Sequence, residues 1–210
     1  MIRIAIVDDH ALMRAGLSQF LAEHVDLRVV AECCDAREAL DAVRQEVADV
    51  MLLDISMPGL NGIDALHAIK ARAPALPVLI FSSFPAAHYA INVLRRGAAG
   101  YLPKDCEPEE IVKAIRTAAM GRRYITAGVA EQLAAVFVSG ADLAPHDRLS
   151  DRELQVFLRL AAGETVGEVA VCMSLSVKTV STYRTRVMEK MELVSNSDLT
   201  YYALKTGLIQ

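Results

Sequence analysis

Five times in the first 121 residues, a short apolar run gives way to a stretch with helical periodicity. This alternation constrains the fold more than any other feature of the chain. The runs are Ile2 to Val7, Leu27 to Ala31, Ala48 to Leu53, Pro77 to Ser82 and Ala98 to Leu102. Apolar runs of this kind, bounded by turn residues, read as buried strands. Between and after them come Leu12, Met13, Leu17, Phe20 and Leu21, then Ala39, Leu40 and Val43, then Ile63, Leu66 and Ile69, all at helical spacing. Pro85 to Arg96 and Pro108 to Met120 complete the series, each with Pro at its start and Gly just past its end. Asp35 caps the second helix, with Glu38 three residues on as its capping-box partner. Strands alternating with helices through short connections predict a doubly wound parallel sheet of the α/β class.

From Leu149 the pattern is helical throughout. Ser150 with Glu153, Thr165, Ser176, and then Asn196 or Ser197 read as successive N-caps. The tight Ser174-Leu175-Ser176 turn suits a helix-turn-helix. Residues 122–147 form a connector, with a short helix from Thr126 to about Phe137 and turn-rich stretches after it. The expected organisation is a five-stranded, flavodoxin-like α/β domain over 1–121, a linker over 122–147, and a small all-α four-helix domain over 148–210.

Composition excludes several classes. The net charge is -4, and residues 146–210 hold 8 Lys and Arg against 8 Asp and Glu, so a nucleic-acid site has to be local. No stretch approaches the roughly 20 apolar residues of a membrane span. The N-terminus enters a strand directly, so no signal peptide is expected. Cys33, Cys34, Cys106 and Cys172 lack metal-ligand spacing, as do the five histidines. Thiols of this kind fit a reducing cytoplasm. Neither glycine-rich nucleotide fingerprint is present.

Asp8 and Asp9 close the first strand and Asp54 closes the third. In the order 2-1-3-4-5 these strands are neighbours at the switch point, where ligands of such sheets bind. Three converging carboxylates repel one another, and a hard divalent cation relieves that. The fourth strand brings the Ser82 hydroxyl to the same edge, and the fifth brings Lys104, a compact charge suited to a phosphoryl oxygen. A carboxylate nucleophile, a metal, a hydroxyl and a lysine together make a phosphoryl-transfer site.

Asp8-Asp9, Asp54 with Met57-Pro58-Gly59 and Asn61-Gly62, Ser82, and Gly100-Tyr101-Leu102-Pro103-Lys104 together resemble the receiver domain of two-component response regulators. The resemblance covers about residues 2–121. It implies that Asp54 accepts a phosphoryl group from a histidine kinase. It also implies that Mg²⁺ is held by Asp9, Asp54, the backbone carbonyl of Ser56 and, through water, Asp8. Ser82 and Tyr101 become a switch pair, with Ser82 turning toward the phosphoryl group and Tyr101 packing inward behind it. Phe84, two residues beyond Ser82, is a candidate shield of the acyl phosphate.

The stretch Ser176 to Lys190 is a basic helix with an apolar seam of Val177, Val180, Val187 and Met191. Its short hydroxyls and flanking cations suit a major groove. Leu149-Ser150-Asp151-Arg152-Glu153, Val169-Ala170, Leu175 to Val180, Arg184 and Tyr202 to Ile209 resemble the LuxR-type DNA-binding domain over about residues 147–209. With a receiver this is the NarL/FixJ class, a partner of double-stranded DNA. Lys178, Thr179, Tyr183 and Arg184 are the candidate phosphate contacts, and Ser181, Thr182 and Thr185 the candidate base contacts. The resemblance implies a homodimer when phosphorylated, paired through the last helix by faces including Leu199, Tyr202 and Ala203. Val166-Gly167 and Val171-Cys172 depart from the polar residues usual in the second helix, which weakens the expected backbone affinity. The chain is expected to catalyse its own phosphorylation and dephosphorylation without being a turnover enzyme. An aspartyl-phosphate hydrolase would need a second acid at Ser56 and a cap domain. A phosphate-independent scaffold would lack one of the acids or the lysine.

Overall fold

A computed structural model describes residues 1–57, 62–83, 86–131, 145–173 and 175–209. The chain divides into two compact units, Met1–Val138 and Ser139–Gln210.

The first unit runs β1 (Ile2–Val7), α1 (Ala11–Ala22), β2 (Leu27–Cys33), α2 (Ala36–Arg44), β3 (Val50–Leu53), α3 (Gly62–Arg72), β4 (Val78–Ser82), α4 (Ala86–Arg95), β5 (Gly100–Pro103) and α5 (Pro108–Ala119). Its sheet is parallel throughout, in the order β2-β1-β3-β4-β5. Every residue of β3 and β4 is buried, which explains why these strands read as unbroken apolar runs rather than alternating ones. Leu52 lies in the middle of this core at 1% exposure, and its burial is worth about 1.5–3 kcal/mol.

The Asp35 carboxylate caps α2 by accepting from Glu38 N at 2.8 Å, but Glu38 reaches back to Cys34 N, at 2.7 Å, one residue before the cap, so the expected capping box is only half formed. The fifth strand begins at Gly100 rather than Ala98, because Gly97 adopts φ +95 and the chain straightens only after that turn. Beyond α5 the backbone returns to the sheet. Tyr124 N donates to Ala99 O at 2.7 Å, and Tyr124 forms a single parallel bridge with Gly100. Residues 127–131 are helical; the rest of the helix expected to reach Phe137 falls outside the described residues.

The second unit holds a 3-10 turn (Pro145–Arg148) and four helices: α6 (Asp151–Ala161), α7 (Val166–Cys172), α8 (Val177–Met191) and α9 (Asn196–Lys205). Capping boxes start α6 at Ser150 and α7 at Thr165, and Ser176 caps α8. The last helix is capped by Ser195 with Asp198, not by Asn196 or Ser197, which already lie within the first turn. Phe157, Leu154, Val169, Val180, Val187, Leu199 and Ala203 fill the core of this unit. Val177, assigned to the seam, is 57% exposed, because the first turn of α8 projects beyond the core that the later seam residues reach.

Candidate functional site

The carboxyl ends of four strands converge as the 2-1-3-4-5 order requires. Asp8 and Asp54 are buried, at 2% and 1% exposure. Lys104 follows β5 directly, and its backbone N–H donates to Ser82 O at 2.9 Å, which carries the β4–β5 pairing one residue past the strand. That pairing places the lysine Nζ 2.8 Å from Asp54 Oδ2 and 2.6 Å from Asp8 Oδ2. The other oxygen of Asp54 accepts from Ser56 N at 2.9 Å. Burial raises the Asp54 pKa, against the Lys104 and Ser56 hydrogen bonds that favour its charged form. Burial acts to lower the Lys104 pKa, but the hydrogen bonds and charges of Asp54 and Asp8 overcome it and hold the ammonium above its usual range.

Ser82 and Tyr101 are both buried, on adjacent strands. Their side chains are hydrogen-bonded to each other, and burial pushes the Tyr101 phenol well above its ordinary range. Tyr101 therefore sits inward in this structure with Ser82 as its partner.

The sequence reading missed His10, taken as one of five scattered histidines. It follows the Asp8-Asp9 pair at the entry to α1, and its Nδ1 lies 3.1 Å from Asp8 Oδ1 and 3.0 Å from Asp9 Oδ1. Adjacency to a strand-end acid pair was the available signal. Asp8, Asp9, His10 and Asp54 each offer a ligand atom within 4.8 Å of the others. Asp8 Oδ2 is buried with only the Lys104 ammonium beside it, at 2.6 Å, and Asp9 Oδ1 with only the His10 ring nitrogen, at 3.0 Å. Buried, under-satisfied carboxylate oxygens of this kind suit a hard divalent cation.

The loop after β3 is set by one close approach. A Cβ on Gly62 would stand 2.0 Å from Asp54 O and 2.5 Å from Ile55 Cα, so α3 starts hard against the peptide of the central carboxylate. Phe84 and residues 58–61 lie outside the described residues.

In the second unit, Lys178, Ser181, Thr182 and Thr185 are exposed on α8. The Thr182 and Thr185 hydroxyls donate to the carbonyls of Lys178 and Ser181, at 3.0 and 3.1 Å. Thr179 is half-buried, and its hydroxyl meets the Ser176 cap at 2.8 Å. Tyr183 and Arg184 are also half-buried, and Arg184 Nε donates to Asn196 Oδ1 at 2.8 Å, so this cation braces α9. Arg186, which the sequence reading passed over, is exposed four residues after Thr182, on the same helical face as Lys178.

The expected pairing face does not survive. Leu199 and Ala203 are fully buried in the unit's own core. Tyr202 is half-buried, with its hydroxyl 2.8 Å from His146 Nδ1 and its ring edge-on to Phe157. The outward apolar residues of α9 are Tyr201 and Leu204, at 67% and 52% exposure.

No described helix is long and apolar enough to cross a membrane. The family model for the response regulator receiver domain matches residues 4–116, and the model for bacterial regulatory proteins of the luxR family matches residues 147–203. Response regulator UvrY of Escherichia coli (strain K12) is 35% identical over 209 residues, covering 99% of this chain and 96% of that protein. Response regulator GacA of Pseudomonas aeruginosa is 35% identical over 210 residues, covering 100% of this chain and 98% of that one. Among solved structures, RcsB from Salmonella enterica serovar Typhimurium, bound to promoter rprA in the presence of the phosphomimetic BeF3-, is 25% identical. It matches with a TM-score of 0.66 over 96% of this chain and 97% of that one. A LuxR-family response regulator from Aurantimonas sp. SI85-9A1 is 33% identical, with a TM-score of 0.61 over 66% of this chain and 99% of that one. With its acid cluster and its helix-turn-helix accounted for together, the chain belongs to the two-component response regulators of the NarL/FixJ class, DNA-binding proteins that join a receiver to a LuxR-type domain.

Proposed function

We propose that the chain is a transcription factor switched by phosphorylation of Asp54. The observation that carries this reading is the Lys104 ammonium held between Asp54 and Asp8, at 2.8 and 2.6 Å. It places a fixed positive charge where a phosphoryl oxygen arrives. An Asp54 oxygen attacks the phosphorus of a kinase phosphohistidine; the O–P bond forms, the P–N bond breaks, and the imidazole leaves with the electron pair. Asp8, Asp9, Asp54 and the Ser56 carbonyl would hold Mg²⁺, which would supply charge neutralisation at the transferring group.

Ser82 exchanges its Tyr101 partner for a phosphoryl oxygen, and Tyr101 remains behind it as the inward half of the switch. Phosphorylation thereby biases a two-state equilibrium of the receiver, favouring a homodimer that grips its operator through α8. Lys178 and Arg186 take phosphates, while Ser181, Thr182 and Thr185 face base edges. The exposed Tyr201–Leu204 face of α9 is the pairing surface. The chain works in the cytoplasm, where its DNA is, and does not turn over an external substrate.

The test is a beryllofluoride titration of the full chain with Mg²⁺, read by dimer mass and by DNA footprinting, in parallel with Asp54→Ala. Both readouts should rise with the mimic in the parent and stay flat in the variant. Unchanged dimer mass and DNA occupancy in both would remove the switch.

A further inference from the structure

A second charged surface lies at the opposite edge of the first unit's sheet, beside the amino ends of β4 and β5. Lys70, Arg122 and Arg123 line an open recess of about 290 Å³ there, with Pro74, Pro77 and Gly97, and no acidic side chain lines it. Arg95 ends α4 and Arg96 follows it immediately before Gly97; both are exposed. Arg72 ends α3 in the adjoining recess, which shares Pro74, Ala75 and Pro77, and where Glu46 and the Arg3-paired Asp49 are the acids.

Cations at helix C-termini complement the helix dipole. That accounts for Arg72 and Arg95 in the last turns of α3 and α4, and for Lys70, whose Nζ donates to Pro74 O and Leu76 O at 2.7 and 2.9 Å. It does not account for Arg122 and Arg123, which lie beyond the end of α5 in the connector. Among the described residues no ion pair holds Arg72, Arg95 or Arg123, and Arg122 has only the Met120 sulfur, at 3.0 Å. The Lys70 pKa is lowered by burial first and by the Arg123 charge second, which brings two like charges near one another at this recess. In a chain of net charge -4 this concentration of cations is local.

We propose that this basic edge binds the phosphodiester backbone of DNA flanking the site gripped by α8. The ligand is a polyanion rather than a single phosphate. The cations are strung along an edge instead of converging on one point, and the recess offers no aromatic platform for a base. Recognition of this kind follows backbone charge and adds affinity without sequence preference. The edge includes the first residues of the connector, so once α8 holds its site the second contact is intramolecular. This inference rests on the DNA-binding reading of α8, and the test separates the two.

The full-length chain is titrated with a mixed-sequence 40-base-pair duplex across a salt series, alongside Arg95→Gln/Arg122→Gln/Arg123→Gln and, separately, Lys178→Ala. Acetyl phosphate labelling of Asp54 in the triple variant, at the parent's rate, reports that its receiver is intact. Each phosphate contact contributes about 0.9 to the slope of log affinity against log salt. Removing three should flatten the slope by up to about 2.7, and the matching Arg→Lys triple should restore it. If Lys178→Ala weakens binding and the triple variant keeps the parent's slope, the basic edge is not a DNA contact and the α8 reading stands. A triple variant that binds more tightly overturns the inference by showing that the edge docks against the chain's own second unit. If the parent fails to bind the duplex at all, both readings fall.

Discussion

The carboxylate cluster and the exposed face of α8 are built in opposite ways. The first gathers Asp8, Asp9, Asp54, Ser82, Tyr101 and Lys104 from the ends of four strands, with Asp8, Asp54, Ser82 and Tyr101 fully buried. Its polar groups are largely committed to one another before any ligand arrives. The second lies within the nine residues from Lys178 to Arg186, faces solvent, and ties its hydroxyls to its own backbone. The first is a product of tertiary packing, so a distant change in the sheet reaches it. The second is a product of one helix, and only the cap and buried seam of that helix govern it.

The comparison is broken most severely at the shared lysine. Lys104→Ala leaves Asp8 and Asp54 facing each other buried and without a cation, and Asp54→Ala removes the nucleophile. Acceptance of phosphate from acetyl phosphate should fall about a hundredfold or more in the first and vanish in the second, read by mass of the intact chain. Phosphate on Asp54→Ala would place the acceptor elsewhere.

Gly62→Ala comes next. Its Cβ would fall 2.0 Å from Asp54 O, a backbone atom that cannot step aside. A loss of about 3 kcal/mol is expected, which for a domain of this size lowers the melting temperature by about 10 °C or more. The α8 face should keep its DNA affinity, since nothing in that helix depends on the loop.

The second unit has a buried charge of its own. Burial acts to raise the Glu153 pKa, but hydrogen bonds from Lys190 Nζ, 2.6 Å away, and from Ser150 overcome it, and the pKa stays below the usual 4.5. A depressed acid contributes stability that is full above the unfolded pKa and is lost as pH falls through the folded one. Glu153→Gln should cost about 1–3 kcal/mol at neutral pH, with the difference from the parent shrinking below pH 4.5. A pH-independent difference would mean that packing, not charge, holds α6 to α8. The smallest effect belongs to the cap: Ser176→Ala should destabilise the unit by about 1 kcal/mol in a denaturant titration and leave phosphorylation untouched.

How much of this was legible in the sequence divides along the same line. The alternation of runs and helices carries the sheet order, and strand ends locate Asp8, Asp54, Ser82 and Lys104, because topology decides where strand ends meet. His10 escaped because its role depends on the turn of one loop, which periodicity does not encode. On α9 the reading took Leu199, Tyr202 and Ala203 for a pairing face. These stand at i, i+3 and i+4, the stripe by which an amphipathic helix buries itself in its own core. The residues left over, Tyr201 and Leu204, are those the stripe excludes. Arg184 was read as a DNA cation, but a long side chain near a neighbouring helix cap finds an intramolecular acceptor first, here Asn196.

The single rung between Tyr124 and β5 bears on where cooperative unfolding stops. The Tyr124 amide is bonded to Ala99 O, and the residue is 7% exposed, so it should exchange its proton with solvent only when the sheet itself opens. By protection rather than helix ends, the first cooperative unit therefore runs past Gly121 to Tyr124. Gly100, the other side of that rung, immediately precedes Tyr101. A change of state at the tyrosine should thus register in the exchange rate of an amide at the root of the connector, which gives a local readout of the switch without reference to DNA.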